Sequence, residues 1–281
     1  MTAPDKNAPI GVFDSGVGGL TAVRELRRLL PDEDIVYFGD TGRVPYGTRG
    51  VDTIVRYAKQ DVAFLLRRGV KFIMAACGTV SSTLPDDWAA SLPVGYTGVV
   101  EATAAAAAKA SRTGRIGVIG TPATIRSGSY ERALRAARPD VQITAAACPL
   151  FVPLVENGYV GEDNEVTRLV AQDYLAPVRA AGVDTLILGC THYPLIAPVI
   201  AQVMGPGVTL VNSGREAALR ARDMLAGAGL LREQSRAGAA SFFVTDSAEG
   251  FASAAALFLG GSAPDDVTRV SVDRELEHTQ I

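Results

Sequence analysis

The chain has 281 residues, 48% of them hydrophobic and 20% charged, and a formal net charge of −3. That size suits two cores better than one, and the balance is that of an ordinary globular protein with no long basic run for nucleic acid. No apolar stretch is long enough to span a bilayer and residues 1–9 lack the apolar segment of a signal peptide, so no membrane partner and a cytoplasmic location are expected.

In chain order, short β-rich runs alternate with amphipathic helical patterns. Residues 10–13 read as a first strand. Leu20, Val23, Leu26 and Leu30 then recur at helical spacing until Pro31 ends the pattern. Residues 35–38 are a second strand. Val51, Ile54, Val55, Ala58, Val62, Leu65 and Leu66 share one helix face, and Gly69 fits the position just past its end. Residues 72–76 form a third strand, apolar throughout, as a buried parallel strand is. A second series follows, with strands at 116–119, 141–145 and 185–188 and helices near 124–137 and 165–181. The rest reads as a strand at 208–211, a helix from about 216, a strand at 241–244, a helix after 249 and a last strand at 267–272. The fold class is α/β with parallel sheets, and ligands then collect at the C-terminal ends of the strands.

The two series are related. Gly69-Val70 and Gly182-Val183 each open an apolar run, and each run closes on a cysteine, Cys77 or Cys190, eight positions after the glycine. Ile10-Gly11-Val12-Phe13-Asp14-Ser15 likewise matches Ile116-Gly117-Val118-Ile119-Gly120-Thr121. The chain reads as two pseudo-symmetric halves, and one arrangement returns the C-terminal tail to the first. A thiol at the same place in each half suggests two thiols facing one substrate from opposite sides. Inversion of a carbon stereocentre by proton transfer is one of the few reactions that needs this.

Three cysteines, an odd number, make no disulfide framework, and no Cys-x-x-Cys occurs. With only His192 and His278 as histidines, no metal site is expected. Cys77 and Cys190 each end a strand and precede a helix start, where unpaired N–H groups favour a thiolate. An isolated cysteine is more often a core residue, but the paired context, Thr79, Thr191 and the adjacent His192 favour function. Cys148, without a repeat partner, reads as packing. Asp14-Ser15-Gly16-Val17-Gly18-Gly19 is a strand-to-helix loop with the wrong spacing for a dinucleotide motif; Asp14 serves equally well as a helix cap. The loop at 39–47 reads either as a ligand contact or as a connector, with Arg43 a candidate surface charge. Glu156, on its own, reads as a solvated carboxylate.

Taken together, Gly11-Val12-Phe13-Asp14-Ser15-Gly16-Val17-Gly18-Gly19-Leu20, Tyr37-Phe38-Gly39-Asp40-Thr41, Pro45-Tyr46-Gly47, Cys148-Pro149-Leu150-Phe151-Val152-Pro153-Leu154-Val155-Glu156 and Leu188-Gly189-Cys190-Thr191-His192-Tyr193-Pro194-Leu195 resemble the glutamate racemases of the aspartate/glutamate racemase superfamily. The resemblance implies two α/β domains, 1–98 plus 212–281 and 99–211, with the site in the cleft between them. It implies cofactor-independent racemisation of L-glutamate to D-glutamate, supplying peptidoglycan, by a homodimer. Cys77 and Cys190 would be the acid/base residues, Asp14 assisting the first and Glu156 and His192 the second. Substrate contacts would fall on Asp14, Ser15, Pro45, Tyr46, Gly47, Gly78, Thr79, Thr121, Thr191 and His192.

Three positions depart from the family pattern. Gly78 stands where the family usually has asparagine, Ala102 where proline is frequent after Glu101, and Asn212 where aspartate is common. Since Gly78 offers only backbone, Gly78→Asn is expected to tighten glutamate binding. The remaining alternatives are an aspartate or hydantoin racemase, a one-cysteine decarboxylase, a binding protein without turnover, and a thiol–disulfide redox protein. No sequence signal for pyridoxal phosphate is present, and the thiol mechanism needs no cofactor.

Overall fold

The computed structural model of the chain describes residues 5–233, 236–264 and 266–272; His278 lies outside them. Among the described residues there are ten strands: β1 (Ile10–Asp14), β2 (Ile35–Gly39), β3 (Phe72–Ala75), β4 (Gly95–Thr97), β5 (Arg115–Gly120), β6 (Gln142–Ala147), β7 (Thr185–Leu188), β8 (Thr209–Asn212), β9 (Ala240–Val244) and β10 (Val267–Arg269). They form two all-parallel sheets, ordered β10-β9-β2-β1-β3-β4 and β6-β5-β7-β8. The protein therefore has two parallel-sheet α/β domains. No helix among the described residues is long and apolar enough to cross a membrane.

The duplication read from the sequence is visible in the strand order. β2-β1-β3-β4 in one sheet matches β6-β5-β7-β8 in the other, and β9 and β10 extend the first sheet beyond β2. The repeated Gly-Val has a local cause. Gly69 follows the helix Val51–Arg67 with φ +70, and Gly182 follows the helix Glu165–Ala180 with φ +62. Only glycine adopts that left-handed turn without a Cβ penalty, so the chain leaves the helix and re-enters a sheet in the same way twice. The run after each glycine becomes β3 or β7, buried along its whole length.

The helix Val51–Arg67 buries Ile54, Ala58, Val62, Phe64 and Leu65 against the first sheet. Each large apolar side chain there contributes about 1.5–3 kcal/mol by leaving water. Four positions differ from the periodicity: Val51 is exposed, and Asp61, Ala63 and Phe64 are buried although they lie off the face read from the sequence. Elsewhere, β4 is too short, and the helix Val100–Ala110 too uniformly alanine-rich, to carry a periodic signal. The single helix read over 124–137 is two, Pro122–Ser127 and Ser129–Ala137, broken at Gly128 with φ +64. The last strand stops at Arg269. Asn212 has a local role: its Oδ1 accepts the backbone N–H groups of Gly214 at 3.0 Å and Arg215 at 3.2 Å, capping the helix Ser213–Gly227. Asparagine and aspartate cap about equally well, which makes this departure structurally mild.

Candidate active site

Parallel strands put their C-terminal ends on one edge, and the two halves bring those edges together. β1 ends at Asp14, β3 runs out to Cys77, β5 to Thr121, β6 to Cys148 and β7 to Cys190. These residues line one cavity of about 380 Å³, to which the Val44 to Thr48 segment after β2 also contributes. All thirteen residues singled out from the sequence line it: Asp14, Ser15, Pro45, Tyr46, Gly47, Cys77, Gly78, Thr79, Thr121, Glu156, Cys190, Thr191 and His192.

Cys77 caps the four-residue helix Gly78–Ser81 and donates from its sulfur to Ser15 Oγ at 3.6 Å. The expected stabilisation of its thiolate by the helix start is outweighed. Burial pushes the thiol well above its ordinary range, the Asp14 carboxylate adds to this, and the contacts of Val80 and Ser15 only partly oppose it. Cys77 is a held thiol. Asp14 is itself buried and accepts N–H groups from Gly16 at 3.2 Å and Gly19 at 2.9 Å. The cap role and the place beside Cys77 thus belong to one residue.

Cys190 has different surroundings. Its sulfur lies 3.8 Å from His192 Nδ1, and His192 Nε2 lies 2.9 Å from Glu156 Oε1. Burial of the imidazole disfavours its charged form, but hydrogen bonds and charge from Cys190 and Glu156 prevail and push it up to about 10. The ring is held edge-on to Phe258, centroids 5.1 Å apart. Glu156 is half-exposed but hydrogen-bonded to His192, so the reading of it as merely solvated fails. Among the described residues no three His, Cys, Asp or Glu side chains group as a metal site.

Threonines close the seam between the halves. Thr79 Oγ1 lies 3.2 Å from Thr121 Oγ1, and Thr21 Oγ1 donates to the Thr191 carbonyl at 2.9 Å. Behind the Pro45-Tyr46-Gly47 turn, Arg43 is no surface charge. It donates to Asp40 at 2.6 Å and to Asp61 at 3.1 Å, and stacks 4.1 Å over the Tyr57 ring. Tyr46 donates its single hydroxyl proton to Asp40, while its oxygen is 3.1 Å from Asp61 Oδ2. Burial and the Asp40 carboxylate raise Asp61 well above the usual carboxylate range, and Arg43 and the Tyr46 hydroxyl only partly oppose this.

Residues 17–221 match the family model described as Asp/Glu/Hydantoin racemase. The chain belongs to this family. It is 47% identical over 268 residues to a glutamate racemase of Geobacter metallireducens, covering 95% of this chain and 98% of that one. The crystal structure of a glutamate racemase isoform from Bacillus anthracis superposes with TM-score 0.90 at 36% identity, covering 95% and 98% of the two chains. That of a glutamate racemase from Francisella tularensis in complex with D-glutamate gives TM-score 0.88 at 36% identity, covering 96% and 99%. The protein is an amino-acid racemase, an isomerase.

In this racemase the cavity also takes in residues the sequence reading passed over, among them Val44, Pro122, Val152, Pro153 and Cys148. Cys148 is a wall residue as well as a packed one. Its thiol donates to the Ala146 carbonyl at 3.8 Å, and burial, helped by the charge of Cys190, pushes it up to about 12. A signal was available, since Cys148 directly follows a strand as the other site residues do. The expectation for Gly78→Asn meets a steric condition. A Cβ on Gly78 would sit 2.3 Å from the Gly189 carbonyl oxygen, so a side chain there has to displace backbone before it reaches a substrate.

Proposed function

We propose that the chain interconverts L- and D-glutamate without a cofactor, Cys77 and Cys190 acting as the two acid/base groups on opposite faces of the α-carbon. The observation that carries this reading is the pair of unlike thiols in one cavity. Cys77 is held protonated by burial and Asp14, whereas Cys190 lies beside a His192 that is cationic at neutral pH. A two-base racemase needs one thiol and one thiolate at the start of each turnover.

In one direction the Cys190 thiolate, paired with the His192 imidazolium, takes the α-proton. The electron pair left on the α-carbon delocalises into the adjacent carboxylate. Cys77 then delivers its proton to the opposite face, which inverts the centre and leaves Cys77 as thiolate and Cys190 as thiol. The reverse direction starts from that second state. Ser15, Thr79, Thr121 and Thr191 supply hydroxyl donors around the cavity for the substrate carboxylates and for the negative charge that develops. A volume of about 380 Å³ suits a small dicarboxylate.

Glutamate as substrate is supported by the relatives: the Geobacter metallireducens protein is a glutamate racemase, and the Francisella tularensis one was solved with D-glutamate. D-glutamate made in this way would supply peptidoglycan synthesis, with the enzyme acting as a cytoplasmic homodimer. The test is incubation with L-glutamate in deuterium oxide with no added cofactor. Loss of optical rotation in step with α-deuterium incorporation is expected. Thermal stabilisation by glutamate without any deuterium uptake would overturn the reading in favour of a binding protein, and turnover of L-aspartate alone would overturn the substrate.

A further inference from the structure

Cys77 donates to Ser15, and Ser15 belongs to a loop that a residue outside the cavity holds down. The 14–19 loop lies over β2. Tyr37, in the middle of that strand, is wholly buried and donates its hydroxyl proton to the Gly16 carbonyl at 2.7 Å. Gly16 directly follows Ser15, whose Oγ is 3.6 Å from the Cys77 sulfur. Asp14 ties the loop to itself by accepting the N–H groups of Gly16 and Gly19. Among the described residues the Gly16 carbonyl has no hydrogen-bond donor besides Tyr37. Tyr37 is not one of the described residues that line the cavity, so it reaches the chemistry only through this carbonyl.

The tyrosine is itself fixed. Its ring is braced by Phe242 of β9 and by Phe251 of the helix Ala248–Leu259, with centroids 6.1 and 5.9 Å away. Its hydroxyl sits close under the loop: a Cβ built on Gly19 would lie 3.0 Å from the Tyr37 oxygen and 2.6 Å from Asp14 Cβ. Burial, with the charges of Asp14 and Cys77 adding to it, pushes the phenol well above its ordinary range. Tyr37 is therefore a donor to Gly16 whether Cys77 is thiol or thiolate. An aromatic brace, a carbonyl, a hydroxyl and a sulfur follow one another in an unbroken line.

We propose that Tyr37 is a positioning residue for Cys77, an inference that rests on the two-thiol reading above: by holding the Gly16 carbonyl it fixes Ser15, and with it the line along which Cys77 exchanges a proton with the substrate. Without the hydroxyl, the buried Gly16 carbonyl loses its donor and the loop shifts. The disturbance falls on the Cys77 side, because Cys190 is held from the other half by His192 and Glu156. Proton transfer at Cys77 is one barrier, crossed in both directions. For the enantiomer that Cys77 deprotonates, a higher barrier makes that step more fully rate-limiting. For the other enantiomer, removal of the α-proton by Cys190 becomes reversible and delivery from Cys77 limits. The two enantiomers have equal free energy in water, so kcat/KM falls equally in both directions while the isotope effects move apart.

The experiment measures kcat/KM for L- and D-glutamate, each with hydrogen or deuterium at the α-carbon, on wild type, Tyr37→Phe, Ser15→Ala and Tyr193→Phe. Tm and near-ultraviolet circular dichroism check folding. Ser15→Ala marks the Cys77 side, because it removes the hydroxyl partner of that sulfur. Tyr37→Phe should lower kcat/KM by about tenfold in both directions. Its α-deuterium effect should rise for one enantiomer and fall for the other, in the same sense as in Ser15→Ala. Tyr193→Phe removes an equally buried hydroxyl, one that donates to the Cys148 carbonyl at 3.0 Å in the other half, and should not show that pattern. If Tyr37→Phe does not fold, Phe251→Leu loosens the brace and should move the isotope effects in the same sense. Isotope effects that stay at the wild-type values, or that move alike in both directions, overturn the proposal. So does a Ser15→Ala without the split, or a Tyr193→Phe with the same one. A wild type that exchanges no α-hydrogen with solvent overturns the functional reading instead.

Discussion

Glu156 holds His192 by the nitrogen that faces away from Cys190, Nε2 to Oε1 at 2.9 Å. The other nitrogen is thereby aimed at the Cys190 sulfur, 3.8 Å off, and the imidazole carries its proton up to about 10. One half-exposed carboxylate thus orients the ring and, together with the larger contribution of Cys190 itself, keeps it charged beside a buried thiol.

Replacing Glu156 by glutamine keeps a hydrogen-bond acceptor and removes the charge. A folded-state value raised from 6.5 to about 10 means that His192 contributes stability fully below pH 6.5, lost as pH rises through about 10. Wild-type Tm should therefore fall across that window. Glu156→Gln should take its loss at lower pH, and the alkaline limb of its pH–rate profile should move down with it. Superimposable Tm and rate profiles for the two proteins would show that Glu156 does not govern the imidazole.

The thiols differ in their surroundings. Burial, aided by Asp14, keeps Cys77 protonated, and burial pushes Cys148 to about 12. Limited iodoacetamide at pH 7.5 should therefore alkylate Cys190 first, as read by peptide mass mapping. Cys77→Ala and Cys190→Ala should each abolish steady-state racemisation in both directions. Earlier labelling of Cys77 or Cys148 would contradict the assignment of Cys190 as the resting base, and comparable turnover by either alanine variant would refute two-thiol chemistry.

Asp61 should accept asparagine and reject alanine. An amide keeps a polar partner for both the Tyr46 hydroxyl and the Arg43 guanidinium without a buried charge, so Asp61→Asn keeps the support of the Pro45-Tyr46-Gly47 turn. Asp61→Ala leaves buried partners unsatisfied, at a cost of about 1–3 kcal/mol. Because the folded acid is raised above its unfolded value of 3.8, its contribution falls as pH rises above about 4. Asp61→Asn should thus gain in stability relative to wild type from pH 5 to 8 in urea unfolding. An asparagine variant as unstable as the alanine one would mean that Asp61 works as a carboxylate.

The sequence alone determined the paired halves, the parallel α/β class and the two cysteines, because each is encoded locally. A glycine in a left-handed turn, an apolar run and a polar strand end are properties of a few consecutive residues, and the chain carries them twice. Local reasoning missed β4, the alanine-rich helix Val100–Ala110 and the break at Gly128, where the pattern is short or uniform. Only the tertiary structure decided that Asp61 is buried and paired with Arg43 behind the Pro45-Tyr46-Gly47 turn, that Cys148 lines the cavity, and that Gly78 touches Gly189. Those are contacts between segments far apart in the chain. Neither partner's own neighbourhood records the other, so no reading of spacing or periodicity reaches them.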